Sequence, residues 1–131
     1  NAVAGGKRPR SSMSPVIVLQ RDSGAFVAAL GSTGGSAILA YNAKAVIGLL
    51  AWDLPLQQAF DLPNVIARGS DFYGEMPRIS PELASQLAER GVALKSGRGE
   101  ESGLHGVAVR GNPAGFEAAA DPRREGVWRP Q

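Results

Sequence analysis

Apolar and polar positions change period several times along this chain, and each change marks an element. Pro15-Val-Ile-Val-Leu-Gln20 is a nearly continuous β-branched and aliphatic run, the pattern of a buried strand. Arg21-Asp-Ser-Gly24 supplies turn residues, and Ala25-Phe-Val-Ala-Ala-Leu30 is a second apolar run. The two runs predict an antiparallel hairpin. Gly31-Ser-Thr-Gly-Gly-Ser36 follows and opens an apolar segment that continues to about Asp53, giving the order strand, glycine turn, helix. The helix from Ser36 to about Trp52 is apolar on most sides and is expected between layers rather than at the surface. Its apolar stretch is interrupted by Asn42 and Lys44 and is short for a bilayer span.

Leu54-Pro55 interrupts that helix, because proline lacks an N–H and restricts the residue before it. Leu56 to Asp61 then reads as a short second helix, stopped by Leu62-Pro63. Ser80-Pro81-Glu82 places a hydroxyl cap before a proline at the first helical position. The helix it starts runs to Arg90 and ends at Gly91. Val92 to Lys95 is a predicted strand. After a glycine-rich acidic loop, Gly103 to Arg110 and Gly115 to Ala120 flank Gly111-Asn-Pro-Ala114 and read as a final hairpin. The tail from Asp121 is rich in arginine and proline. No internal repeat interrupts this order. Strands, then helices, then strands predict layered α+β structure in one partial domain over residues 1–131, whose sheets are expected to need further chain to complete them.

Composition narrows the picture. The chain has 131 residues, 44% of them apolar, which suits one domain with a core rather than disorder. It has no cysteine, which removes disulfides, thiolate nucleophiles and cysteine-ligated metals while leaving the compartment open. The net charge is +2, with basic residues grouped only at Lys7, Arg8 and Arg10 and at Arg123, Arg124 and Arg129. No aromatic residues interleave them, so no nucleic-acid partner is expected. The chain starts at Asn1 with no signal-peptide pattern, and is expected to be a fragment or processed part of a longer protein.

Two segments could carry chemistry. The Gly31–Ser36 turn joins strand to helix, where glycines permit positive φ and the first helical amides have no helical acceptor. With the helix dipole behind them, such amides can hold an anion or a developing oxyanion. It is not a phosphate-binding loop, since no lysine followed by Ser or Thr closes it, and its glycine spacing differs from the dinucleotide fingerprint. A tight turn with no ligand fits the same pattern. The second segment, Arg10-Ser-Ser-Met-Ser-Pro15, offers adjacent hydroxyls that could bind a carboxylate. It equally suits a polar turn leading into an edge strand. His105, the one histidine, lies in the late hairpin and is read as structural, and one histidine alone cannot make a metal site.

Four stretches together carry a resemblance: Lys7-Arg-Pro-Arg-Ser-Ser-Met-Ser-Pro15, Gly31-Ser-Thr-Gly-Gly-Ser36, Leu56-Gln-Gln-Ala-Phe-Asp-Leu-Pro-Asn64 and Ala120-Asp-Pro-Arg-Arg124. In this order and spacing the chain resembles the C-terminal part of the small subunit of γ-glutamyltransferases. The resemblance implies part of an N-terminal-nucleophile hydrolase αββα sandwich, made from a self-cleaving precursor. It implies an upstream N-terminal threonine nucleophile and transfer of a γ-glutamyl group, from a donor such as glutathione, to an amino acid, a peptide or water. It implies that Ser11 and Ser12 hold the donor α-carboxylate and that the Gly34 and Gly35 amides form the oxyanion hole. The implied partners are the rest of the small subunit and the large subunit of the same precursor. No cofactor and no metal are implied, and the periplasm or cell exterior is the implied location. A β-lactam acylase, a capsule-polymer transferase or a non-catalytic member of the same architecture remain alternatives. Two positions depart from the family pattern. Thr33 stands where proline is frequent and is expected to loosen the turn. Arg10 stands where an aliphatic residue is frequent and adds a cation beside the serines. Asp121 and Arg123 match a landmark near the family's C-terminus and are read as a structural ion pair, in preference to a direct catalytic role, because exposed pairs of this kind are common and individually weak.

Overall fold

The computed structural model describes residues 2–97, 101–111 and 115–129. The first apolar runs form β1 (Val16–Leu19) and β2 (Phe26–Gly31), an antiparallel pair with Val16 opposite Leu30 and a bulge between Val18 and Leu19. A one-turn 3₁₀ segment, Gly35–Ala37, leads into α1 (Ile38–Leu50), and α2 (Leu56–Asp61) follows Pro55. Next come β3 (Val65–Arg68), β4 (Asp71–Gly74), α3 (Pro81–Glu89) and β5 (Leu94–Ser96). The late runs form β6 (His105–Arg110) and β7 (Gly115–Ala120).

These strands make two sheets. One is antiparallel in the order β1-β2-β6-β7, and the other has the order β3-β4-β5 with β4 and β5 parallel. Residues Asn112 to Ala114 of the expected late turn, Arg98 to Glu100 of the expected acidic loop, and Asn1, Pro130 and Gln131 lie outside the described residues.

The core lies where one face of the larger sheet meets α1 and α2. Ala28, Leu30, Ala108 and Ala119 alternate inward and pack with Tyr41, Ala45, Leu49, Leu56 and Phe60. Small strand residues let the helices sit close, so the few large side chains dominate the apolar area. Loss of fully buried Phe60 to alanine would cost about 3–5 kcal/mol. Two side chains bind α2 to the sheet. Glu117 accepts from the Leu56 N–H at 2.8 Å, supplying an acceptor at the helix start, while Gln57 pairs with both the carbonyl and the N–H of Ala120 on β7 (3.0 and 3.3 Å).

The other face of this sheet is also apolar. Ile17 is 71% exposed and Phe116 79%, with Leu19 and Phe26 between them. A strand set apolar on both faces is the pattern of a sheet covered twice. α1 corrects the expectation of a helix enclosed between layers. Its inner stripe of Ile38, Tyr41, Ala45 and Leu49 follows helical spacing onto the sheet, whereas Leu39, Ile47 and Leu50 face outward and are exposed. The helix is apolar on both sides, but only one side is covered in this chain.

The smaller sheet was not legible in full. β3 and β4 form a hairpin around Gly69-Ser70, with Gly69 at φ 62°, where only a strand after α3 had been expected. The start of α3 agrees with expectation: the Ser80 hydroxyl accepts from the Leu83 N–H at 3.2 Å.

Candidate active site

The strand-to-helix turn begins where Gly31, the last residue of β2, pairs with His105. Gly34 has φ 128° and Gly35 φ 52°, backbone conformations that strain an L side chain. A Cβ at Gly34 would also overlap the buried Tyr41 ring, so glycine there is required twice over. The bend turns its carbonyls into the helix: Gly34 O accepts from the Ala37 N–H at 3.0 Å and Gly35 O from the Ile38 N–H. Among the described residues, neither the Gly34 nor the Gly35 N–H has a protein acceptor. Two donors at the positive end of a helix are thus left for another oxygen. Tyr41, packed beneath, has its phenol pKa raised by burial and then by the nearby Glu75 charge, so it stays neutral and serves as a wall.

The serine segment lies against this bend. Ser12 Oγ donates to the Gly35 carbonyl at 2.5 Å, and Asn42 of α1 donates to both the carbonyl and the hydroxyl of Ser14 (2.6 and 3.1 Å). Two stretches far apart in sequence therefore share one site. Arg10, Ser12, Gly35 and Ser36 line an open cavity of about 310 Å³, with Gly34 buried and Ser11 exposed. The hydroxyls differ in what they can offer. Ser12 has one proton and it is engaged by Gly35, so it reaches a ligand only by rotating. Ser11 Oγ accepts from the Met13 N–H at 3.2 Å, which leaves its own O–H to donate elsewhere.

The expected structural pair of Asp121 and Arg123 forms, and it is buried rather than exposed. The Arg123 side chain is 4% exposed and Asp121 0%. Arg123 directs all its N–H groups to acceptors. Nε and Nη2 grip Glu75 (2.6 and 2.7 Å), Nη1 reaches Asp121 and the Phe60 carbonyl (3.1 and 3.0 Å), and Nη2 also reaches the Leu62 carbonyl at 2.9 Å. Asp121 further accepts from Ser102 Oγ at 2.5 Å and from the Leu104 N–H at 3.3 Å. Burial opposes ionisation of both carboxyls, yet the bonds from Arg123 to Glu75, and from Ser102 and Arg123 to Asp121, hold each below its ordinary pKa. Lys44 Nζ donates to the same two carbonyls, Phe60 and Leu62, and burial followed by repulsion from Arg123 pushes its pKa down to about 8. This is a structural lock on the α2–β3 connection, and it removes Arg123 from any surface basic patch.

The roles of Glu75, Ser102, Lys44 and Asn64, which donates to Ser102 Oγ at 2.9 Å and to Glu75 through its N–H at 3.0 Å, carry no local signal in the sequence, since each meets its partners across long separations. His105 stays structural: it is exposed on β6, and its Nδ1 lies 3.3 Å from the Gly103 carbonyl.

The chain is similar to proteins of one family. A family model described as gamma-glutamyltranspeptidase matches residues 1–130. The chain belongs to the γ-glutamyltranspeptidase family. It is 28% identical to a glutathione hydrolase proenzyme of Pseudomonas aeruginosa, in a match covering 97% of this chain and 23% of that protein. Against glutathione hydrolase 3 of Arabidopsis thaliana it is 30% identical, covering 72% of this chain and 16% of that one. It therefore spans under a quarter of these relatives' length. A γ-glutamyltranspeptidase structure from Pseudomonas nitroreducens, complexed with L-DON, is 29% identical with a TM-score of 0.80, covering 100% of this chain and 68% of that chain. The Bacillus anthracis transpeptidase enzyme CapD shares the fold at 21% identity and a TM-score of 0.76, covering 99% of this chain and 77% of that chain. The fold is α+β, part of the N-terminal-nucleophile hydrolase sandwich of this family.

Proposed function

We propose that the protein containing this chain is a γ-glutamyltransferase and hydrolase, and that residues 1–131 contribute its oxyanion hole and part of its donor site. The observation that carries this is the Gly34–Gly35 bend at a helix start: two backbone N–H groups with no acceptor among the described residues, with Gly35 and Ser12 lining an open cavity. A γ-glutamyl carbonyl delivered to that bend would develop negative charge on oxygen, and fixed amide donors stabilise it more than the neutral ground state.

The nucleophile is assigned to an N-terminal threonine elsewhere in the same small subunit, its α-amine serving as base. Its Oγ attacks the γ-carbonyl carbon, and the amine takes the hydroxyl proton and passes it to the leaving amine as the C–N bond breaks. An acceptor amine or water then attacks the acyl-enzyme and frees the threonine. The exposed apolar sheet face and the outer stripe of α1 suit cover by the remainder of the precursor.

Ser11 and Ser12 are assigned to the donor α-carboxylate, Ser11 with a ready donor and Ser12 after rotation. In the full-length protein, Ser11→Ala with Ser12→Ala should raise KM for a γ-glutamyl anilide about tenfold or more, through lost hydrogen bonds to a charged group. An unchanged KM would remove the serines from the site. Glutathione-like donors should outperform glutaryl and polymer donors, and the reverse order would favour an acylase or a capsule-polymer transferase.

A further inference from the structure

Gly34 and Gly35 have no side chains, so the aim of their N–H groups depends on what holds the bend from outside. Ser32 Oγ accepts from the Gly103 N–H at 3.1 Å and donates to the Thr33 carbonyl at 2.7 Å. Its hydroxyl therefore ties the bend to the segment that enters β6. That segment is itself fixed. Ser102 and Leu104 both donate to Asp121, and the Asp121 N–H returns to the Leu104 carbonyl at 2.7 Å. Space is equally tight. A Cβ on Gly103 would stand 2.5 Å from Thr33 Oγ1 and 3.0 Å from Arg124 Cδ. The carbonyl of Glu101, held by Arg124 Nε at 3.0 Å, borders Gly34 on the same side.

We infer that Ser32 is a positioning residue for the reaction: its hydroxyl locks the glycine bend to Gly103, and through Gly103 to the buried Asp121 anchor, so that the Gly34 and Gly35 amides keep their aim. Gly103 is part of the device because the lock leaves no room for a side chain. In this chain the lock supplies the rigidity expected to be lost where Thr33 replaces proline. The inference rests on the acyl-transfer reading of the bend, and a misaimed oxyanion donor weakens the transition state without weakening donor binding.

The test uses the full-length protein with Ser32→Ala, Ser32→Thr, Gly103→Ala, and Gly103→Ala combined with Thr33→Ala. Hydrolysis of a γ-glutamyl anilide is measured, with kcat expressed per cleaved, mature enzyme and melting recorded alongside. Ser32→Ala should lower kcat about tenfold with KM within about twofold, and Ser32→Thr, which keeps the hydroxyl, should restore most of the loss. Gly103→Ala should lower kcat similarly, and removing Thr33 Oγ1 should recover part of it. If Ser32→Ala does not fold, the Gly103 pair decides alone: recovery by the second substitution supports the lock, and no recovery overturns it. An unchanged kcat in Ser32→Ala, or a change confined to KM, overturns the positioning role and leaves the acyl-transfer reading standing. A wild-type enzyme that cleaves no γ-glutamyl donor overturns both.

Discussion

Around Arg123 hydrogen-bonding capacity is matched group for group, whereas at the Gly34–Gly35 bend it is left open. The guanidinium meets two carboxylates and two carbonyls inside the protein, and Asp121, with no exposed surface, draws on Ser102 and the chain itself. At the bend, the carbonyls are engaged by the helix while the two N–H groups are not. Satisfied charges in a protein interior stabilise and define one arrangement, but they have nothing further to offer a ligand. Unmatched donors at the edge of a cavity contribute little to stability and everything to recognition. The comparison separates two landmarks that look equally chemical in the sequence: Asp121-Pro-Arg123 is a lock, and Gly34-Gly35 is the proposed site.

Breaking the lock should have the largest effect. Arg123→Met would leave Asp121 buried and Glu75 half-buried without this cation, and would take one of two donors from each of the Phe60 and Leu62 carbonyls, a loss of about 3–5 kcal/mol measured by denaturant unfolding of the full-length protein. Acid should reveal the same lock. Glu75 and Asp121 lie below their ordinary values of 4.5 and 3.8 in the folded state. Their contribution is therefore complete above those values and is lost as the pH falls through the lower folded ones. Wild type should lose stability below about pH 4 more steeply than Arg123→Met, because the variant lacks the interaction that depresses both groups.

Disturbing the bend should act on the opposite quantity. Gly34→Ala places a methyl group against Tyr41 at φ 128°, with a stability cost of about 1–3 kcal/mol. Activity should fall by two orders of magnitude or more, since losing one oxyanion donor has a cost of about that size. A Gly34→Ala enzyme that melts early but turns over normally would dissolve the distinction between lock and site.

Much of the fold was legible because its signals are local. A β-branched run marks β1 and a second apolar run marks β2, Ser80-Pro81 marks α3, and Leu56–Asp61 coincides with α2. β3 and β4 were missed although Gly69-Ser70 is a hairpin signal, because four-residue strands such as Asp71–Gly74 carry too little alternation to stand out. The bend itself could be read from its glycines. What surrounds it could not: Ser12 meets Gly35, Ser32 meets Gly103 and Glu75 meets Arg123 only after folding, and no spacing rule reports on such pairs. The burial of the ion pair was not legible for the same reason, since burial of Arg123 depends on the α2–β3 connection closing over it.

The most direct measurement is a crystal structure of the full-length enzyme carrying a covalent γ-glutamyl-like adduct on its nucleophile. The account predicts the adduct's carbonyl or tetrahedral oxygen at about 2.7–3.1 Å from the amide nitrogens of Gly34 and Gly35. An adduct whose oxygen lies elsewhere, with both amides turned toward protein carbonyls, would contradict it.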